Sequence, residues 1–276
     1  MSEILKNIFA KQIDFETEPN LDKFVQTFCQ LYRIELFKDG LDLILTKVQE
    51  KDLKFEVKVT KGWDTNLGCY LTEQNKVFNK VLGTFSSSVK KSIILRQMTC
   101  NLMAHEMAHA LEFESGLNLG EEFRQCIGFD MKDRSPSSVV LKGEIKRLMV
   151  DALKAYPPHQ FLSELFARYF ELLSVSRNVR ATGDFTTAEV MSFFENTTNF
   201  IEQIFNPQIQ GKIDPKIAAH TSEIAGKIRL EVPEQKFHER IESIQKKSQG
   251  SWSKGVKSNA MWQAGWQKTQ QIDDKK

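Results

Sequence analysis

The sequence predicts an α+β fold, a small mixed sheet packed on one central helix and followed by a mostly helical C-terminal half. Three observations point there. Residues 54–60 (Lys-Phe-Glu-Val-Lys-Val-Thr) alternate apolar and polar side chains with the period of a strand. Residues 93–113 contain neither Gly nor Pro and repeat apolar side chains at three- and four-residue steps, the period of a helix. Beyond Gly116 every clear segment has helical spacing.

Taken in order, residues 21–37 place Leu21, Phe24, Val25, Phe28, Leu31 and Tyr32 on one helical face. Residues 41–48 read as a strand and 54–60 as a second, half-buried one. Residues 68–71 and 76–85 supply one or two more. The helix over 93–113 has N-cap candidates in Ser86, Ser87, Ser88 and Ser92 and a stop in Gly116. Residues 138–156, 158–174, 186–205, 215–230 and 233–247 read as helices. Thr186 and Glu189 make a capping box, and Pro215 after Asp214 marks a helix start. The chain shows no internal repeat.

A chain of 276 residues that is 41% hydrophobic can bury one large core or two modest ones. A formal net charge of +2 argues neither for a nucleic-acid binder nor for a strongly anionic partner. Cys29, Cys69, Cys100 and Cys126 are scattered with no CxxC pair, which excludes a zinc ribbon and gives a disulfide framework no support. Cys100 reads as a small buried thiol. The first dozen residues lack the apolar core and small-residue cleavage site of a secretory signal, and no apolar run reaches membrane-spanning length. The expectation is a cytoplasmic protein, or one exported without a cleaved leader, that makes no use of a membrane.

The chemistry concentrates at His105-Glu106-Met107-Ala108-His109. Residues four apart share a helical face, so His105 and His109 can offer a ring nitrogen to one ion. Glu106 lies about 100° round the helix from His105, where it suits a metal-activated water rather than the metal. This is the HExxH pattern of zinc hydrolases, two ligands and a general base. Two histidines at this spacing can also be ordinary partly buried residues. They lie, however, on an apolar helix face with Ile94, Met98, Leu102 and Ala108, where unpartnered polar groups are costly, and one metal ion satisfies both.

A hydrolytic zinc needs a third protein ligand and an open position. The compact HExxHxxGxxH form is excluded, because Glu112 stands where its Gly belongs and Ser115 where its third His belongs. Glu121, Glu122, Glu144, Asp151, His159, Glu164 and Glu171 are all candidates, and spacing does not choose among them. Gln160, Glu164, Arg168 and Glu171 form one stripe, which by periodicity alone reads as a solvated face with Glu164–Arg168 and Arg168–Glu171 pairs.

The segment Glu164-Leu-Phe-Ala-Arg-Tyr-Phe170 resembles the E-[FL]-F-A-x-x-F helix that carries the third zinc ligand in gluzincins of the lethal-factor type. It is also similar to metallopeptidase domains of phage and mobile-element polyvalent proteins, in which a Tyr precedes an E-x-F-A-R-x-F helix. Both place it some tens of residues after an HExxHA motif; here Ala110 follows His109 and Tyr156 lies ahead of the second helix. The resemblance spans residues 84–174 and implies a zincin-like fold with zinc ligands His105, His109 and Glu164 and Glu106 as base. The chain departs from many relatives in having Ala108 rather than Gly before the second His. It departs from the lethal-factor type in having Arg168, not an acidic residue, four after the ligand Glu. Glu112 and Glu171 are candidate acceptors for the ligand imidazoles, or surface carboxylates. Tyr156 is a candidate oxyanion donor, or a packing residue at the helix entry.

The implied activity is that of a zinc metallopeptidase acting on a protein or peptide. A zincin-like binding or scaffold module without proteolysis is the alternative. A nucleic-acid-associated factor of a mobile element is another, suggested by the lysine-flanked Trp252, Trp262 and Trp266. The compositional boundaries are a peptidase domain over 1–205, a helical extension over 206–248 and a flexible Trp-containing tail over 249–276. The tail offers anchors for a protein partner. Two polar-rich helices after Asn206 and a tail with few aliphatics beyond Val256 lead to the expectation that a chain ending at Phe205 folds and binds zinc, with the remainder docked on it or on a partner.

Overall fold

The computed structural model describes residues 3–16, 20–58, 68–79, 84–116, 119–177 and 183–230, with side chains described outside 73–88 and 229–230. The expected helix over 233–247 and the three tail tryptophans lie outside them. The fold is mixed α+β and mostly helical, as expected. In chain order the elements are α1 (Glu3–Phe9), β1 (Ile13–Phe15), α2 (Leu21–Gln30), α3 (Lys38–Gln49), β2 (Leu53–Val57), β3 (Gly68–Asn79) and β4 (Thr84–Leu95). There follow α4 (Cys100–Ser115), α5 (Glu121–Asp133), α6 (Val139–Ile145), α7 (Asp151–Ala155) and α8 (Phe161–Val175). The last are α9 (Thr187–Phe193), α10 (Glu195–Phe200), α11 (Asn206–Gln210) and α12 (Pro215–Leu230). Among the described residues no helix is long and apolar enough to cross a membrane.

The four strands make one sheet in the order β1-β2-β4-β3. β2 pairs parallel with β1 (Phe55 opposite Ile13) and parallel with β4 (Phe55 opposite Ile93). β3 runs antiparallel to β4 at the sheet edge, with Cys69 opposite Ile94. The alternation in β2 puts Leu53, Phe55 and Val57 on one face, where Phe55 meets Phe9 and Phe24 edge-on with ring centroids 5.7 and 5.1 Å apart. Glu56 points the other way, and Lys58 and Lys90 hold its carboxylate at 2.8 and 3.3 Å. β2 is more enclosed than a half-buried strand, because strands flank it on both sides; Glu56 is only 9% exposed.

Three sequence expectations are corrected. Residues 41–48 are not a strand but the body of α3, in which Leu41, Leu43, Ile44, Leu45 and Val48 are all fully buried. A helix buried all round loses its amphipathic period and looks like a buried strand, and the leucines favour the helix. Its one buried charge, Asp42, accepts from the Tyr32 hydroxyl at 3.0 Å and pairs with Lys38 at 2.6 Å. Second, the motif helix does not begin at Ile93. Ile93, Ile94 and Leu95 end β4, and the helix starts at Cys100 after Thr99, whose extended backbone (φ −120°, ψ 148°) makes it the cap residue. The serines proposed as caps lie on β4 instead. β-Branched residues paired against β2 outweigh the helical spacing there. Third, residues 31–37 leave the helix of α2 as two short 3₁₀ turns, Leu31–Arg33 and Glu35–Phe37.

Other punctuation is as read. Gly116 ends α4 in the left-handed region at φ 64°, Thr186 and Glu189 form the capping box of α9, and Pro215 opens α12. α5, which has no sequence expectation, supplies a cap at a distance. Its fully buried Asp130 accepts from the backbone N–H groups of Asn196 and Thr197 at 3.1 and 2.8 Å, the start of α10. The α10 N-cap residue itself makes no side-chain cap bond, so Asp130 meets the free first-turn donors.

The compositional break at Phe205 is not a break in packing. Ile209, Ile217, Thr221 and Ala225 are each no more than 5% exposed. Asn206 Nδ2 donates to the Leu36 carbonyl at 3.2 Å, and the Asp214 N–H donates to Thr46 Oγ1 at 3.0 Å. α12 thereby lies on α3 and α2. α3 in turn approaches α4 closely at Gly40, where a Cβ would come within 2.6 Å of Leu111 Cδ1.

Candidate metal centre

α4 and α8 pack against each other and carry the polar residues of the motif between them. The middle of α4 is buried nearly all round, from Met103 to Ala108. Polar side chains on a helix so enclosed are costly unless they find partners. The two histidines find one another and Glu164: one ligand atom from each of His105, His109 and Glu164 lies within 4.8 Å of the others. His105 Nε2 and His109 Nε2 are 3.2 Å apart. Glu164 Oε1 is 3.8 Å from His105 Nε2, and Oε2 is 3.6 Å from His109 Nε2. This buried group can hold a metal ion.

The other candidate third ligands lie elsewhere. Glu121 pairs with Arg124, Glu144 with Arg147 at 2.7 Å and Asp151 with Lys154 at 3.4 Å, while Glu122 and His159 are exposed. Glu171 is buried behind the trio, with Oε2 3.1 Å from His105 Nδ1, though off the line of a good hydrogen bond. The stripe on α8 therefore forms the expected ion pairs, Arg168 Nε to Glu164 Oε1 at 2.7 Å and Nη1 to Glu171 Oε2 at 2.6 Å. It is not a solvated face, since Glu164 and Glu171 are 4% and 5% exposed.

Charge balance explains how two buried carboxylates persist so close together. Burial pushes both the Glu164 and the Glu171 carboxyls up. The facing histidines and Arg168 outweigh it and leave both below the usual range. Burial lowers the His105 imidazole, favouring the neutral ring that binds a metal. Glu106 is pushed up to about 7, chiefly by burial, which the His109 and Arg168 charges only partly offset.

Above the trio opens a cleft of about 910 Å³, with β3 on one side and α4 and α8 on the other. Glu106 and Glu164 line it, as do His109, Tyr156 and the β3 residues Gly68 and Tyr70. The edge strand meets the motif at Gly68, where a Cβ would stand 2.7 Å from Glu106 Oε1. Tyr156 is half-buried beside Glu164, whose negative charge, after burial, raises its phenol. His109 is the more open of the two histidines, its side chain 22% exposed against 9% for His105.

Two residues of this site have no sequence expectation. Ser163 Oγ lies 3.0 Å from His109 Nδ1 and donates a short hydrogen bond to Glu112 Oε2. Gly68 reaches Glu106 from a different element. Both depend on how distant segments meet, and only the position of Ser163 beside Glu164 offered a local hint. Comparison with protein-family models, with curated proteins and with solved structures finds no match to this chain.

Proposed function

We propose that the protein is a zincin-like, zinc-dependent peptidase, with His105, His109 and Glu164 as ligands and Glu106 as general base. The observation that carries the reading is the size of the donor triangle. Ligand atoms about 2.0–2.1 Å from a tetrahedral zinc stand about 3.3 Å from one another. The closest approaches are 3.2 Å between the two Nε2 atoms, 3.6 Å from His109 Nε2 to Glu164 Oε2 and 3.8 Å from His105 Nε2 to Glu164 Oε1. One ligand atom from each residue lies within 4.8 Å of the others. Two imidazoles and one carboxylate are also the donor set of hydrolytic zinc, and the cleft beside His109 leaves room for water and substrate.

Zinc held there would polarise a carbonyl and acidify water. The residues supply the rest. Glu106, which lines the cleft, accepts a proton from the attacking water and returns it to the leaving amine. Tyr156, which lines the same cleft beside Glu164, can donate its phenolic hydrogen to the developing oxyanion. Arg168 keeps the ligand carboxylate oriented from behind. A peptide carbonyl suits this arrangement because its tetrahedral transition state needs the donor and the base together.

The test is exposure of zinc-loaded, full-length protein to a mixed peptide library, with mass-spectrometric detection of new termini. Cleavage that a chelator stops and added zinc restores is expected. Zinc-loaded protein that leaves the whole library intact would instead indicate the binding-module alternative.

A further inference from the structure

We propose that Ser163 is a positioning residue of this centre, linking the His109 imidazole to Glu112 and fixing which ring nitrogen faces the ion. The proposal rests on the reading that His105, His109 and Glu164 hold a metal. The hydrogen-bond roles along the chain of contacts assign themselves. A carboxylate can only accept, so the Ser163 hydroxyl donates to Glu112 Oε2. The lone pair of Ser163 Oγ then faces His109 Nδ1 at 3.0 Å and accepts its N–H. With the ring hydrogen on Nδ1, His109 Nε2 carries the free lone pair, and Nε2 is the atom turned toward His105 and Glu164. No proton is counted twice, and no group is asked for a role it lacks.

The two imidazoles have different surroundings. Beside His105 Nδ1, at 3.1 Å but off the hydrogen-bond line, stands the carboxylate of Glu171, braced by Arg168. Behind His109 a carboxylate acts through a hydroxyl. Glu112 lies one turn beyond His109 on α4, while Ser163 comes from α8, immediately before Glu164. The link therefore ties the two ligand-bearing helices together at the metal centre. It also steadies the histidine that faces the open cleft and has the less crowded surroundings. Partners of this kind orient the ring and raise its basicity toward the metal.

The experiment is a zinc-affinity measurement on the full-length chain, by competition with a chromophoric chelator. It compares wild type with Ser163→Ala, Ser163→Thr, Glu112→Ala and the double variant Ser163→Ala/Glu112→Ala. Each alanine variant is expected to weaken zinc binding by on the order of tenfold to a hundredfold. Because both act through one link, the double variant should fall no more than about threefold below the weaker single. Ser163→Thr, which keeps the hydroxyl, should stay close to wild type. A Ser163→Ala protein that binds as tightly as wild type overturns the proposal, as do losses that simply multiply in the double variant. Wild-type protein that binds no zinc overturns the metal reading itself, a result distinct from either.

Discussion

Glu106→Gln is expected to lower peptide hydrolysis by on the order of 10²- to 10⁴-fold while leaving the bound metal in place. The amide keeps the shape of the carboxylate but cannot take a proton from water. Shape matters here because Glu106 is only 4% exposed and lies against the Gly68 backbone, with no space for a larger group. The side chain is not among the three converging ligands, so zinc content should be unchanged. Glu164→Ala should lose metal and activity together, since it removes one corner of the donor triangle. Loss of metal in Glu106→Gln with retention in Glu164→Ala would reverse the two roles. Kinetics beside metal analysis of both variants separates these outcomes.

A chain ending at Phe205 is expected to be much less stable than one ending at Leu230, which corresponds to wild-type packing in the described residues. The polar-rich helices beyond Asn206 suggested a separable appendage. The few apolar residues present there are, however, well used, with Ile209 and Ile217 at 0% and 5% exposure. Burying an isoleucine contributes about 1.5–3 kcal/mol, so the two alone are worth roughly 3–6 kcal/mol. The cut also removes the Asn206 and Asp214 hydrogen bonds to Leu36 and Thr46 and uncovers α3. For a chain of this size a loss of about 5 kcal/mol corresponds to a Tm drop of roughly 10–20 °C. Because α3 supports α4 at Gly40, zinc retention should fall as well. Equal melting temperatures for the two truncated chains would show that the C-terminal helices are an independent appendage after all.

What the sequence made legible was local. HExxH needs only five residues of helix to place two imidazoles together, and its reading depends on nothing distant. The stop at Gly116 and the capping box at Thr186 are equally local and came out as read. Glu164 was different: seven residues fitted the spacing, and a family resemblance rather than periodicity pointed to it. Its stripe on α8 looked solvated because i,i+4 charge pairs are the same inside a protein as on its surface. Only the packing of α4 on α8 tells the two apart. The misreading of α3 has the opposite cause, since complete burial erases the period that identifies a helix. Ser163, Gly68 and the Asp130 cap of α10 join segments up to 67 residues apart, beyond the reach of any local pattern.

The central claim is that His105, His109 and Glu164 form one metal site, and metal analysis of purified protein tests it most directly. Wild type should hold about one zinc ion per chain, and His105→Ala and His109→Ala should each hold essentially none while remaining folded. Full zinc content in both histidine variants would contradict the account, because the ion would then be held somewhere other than between α4 and α8.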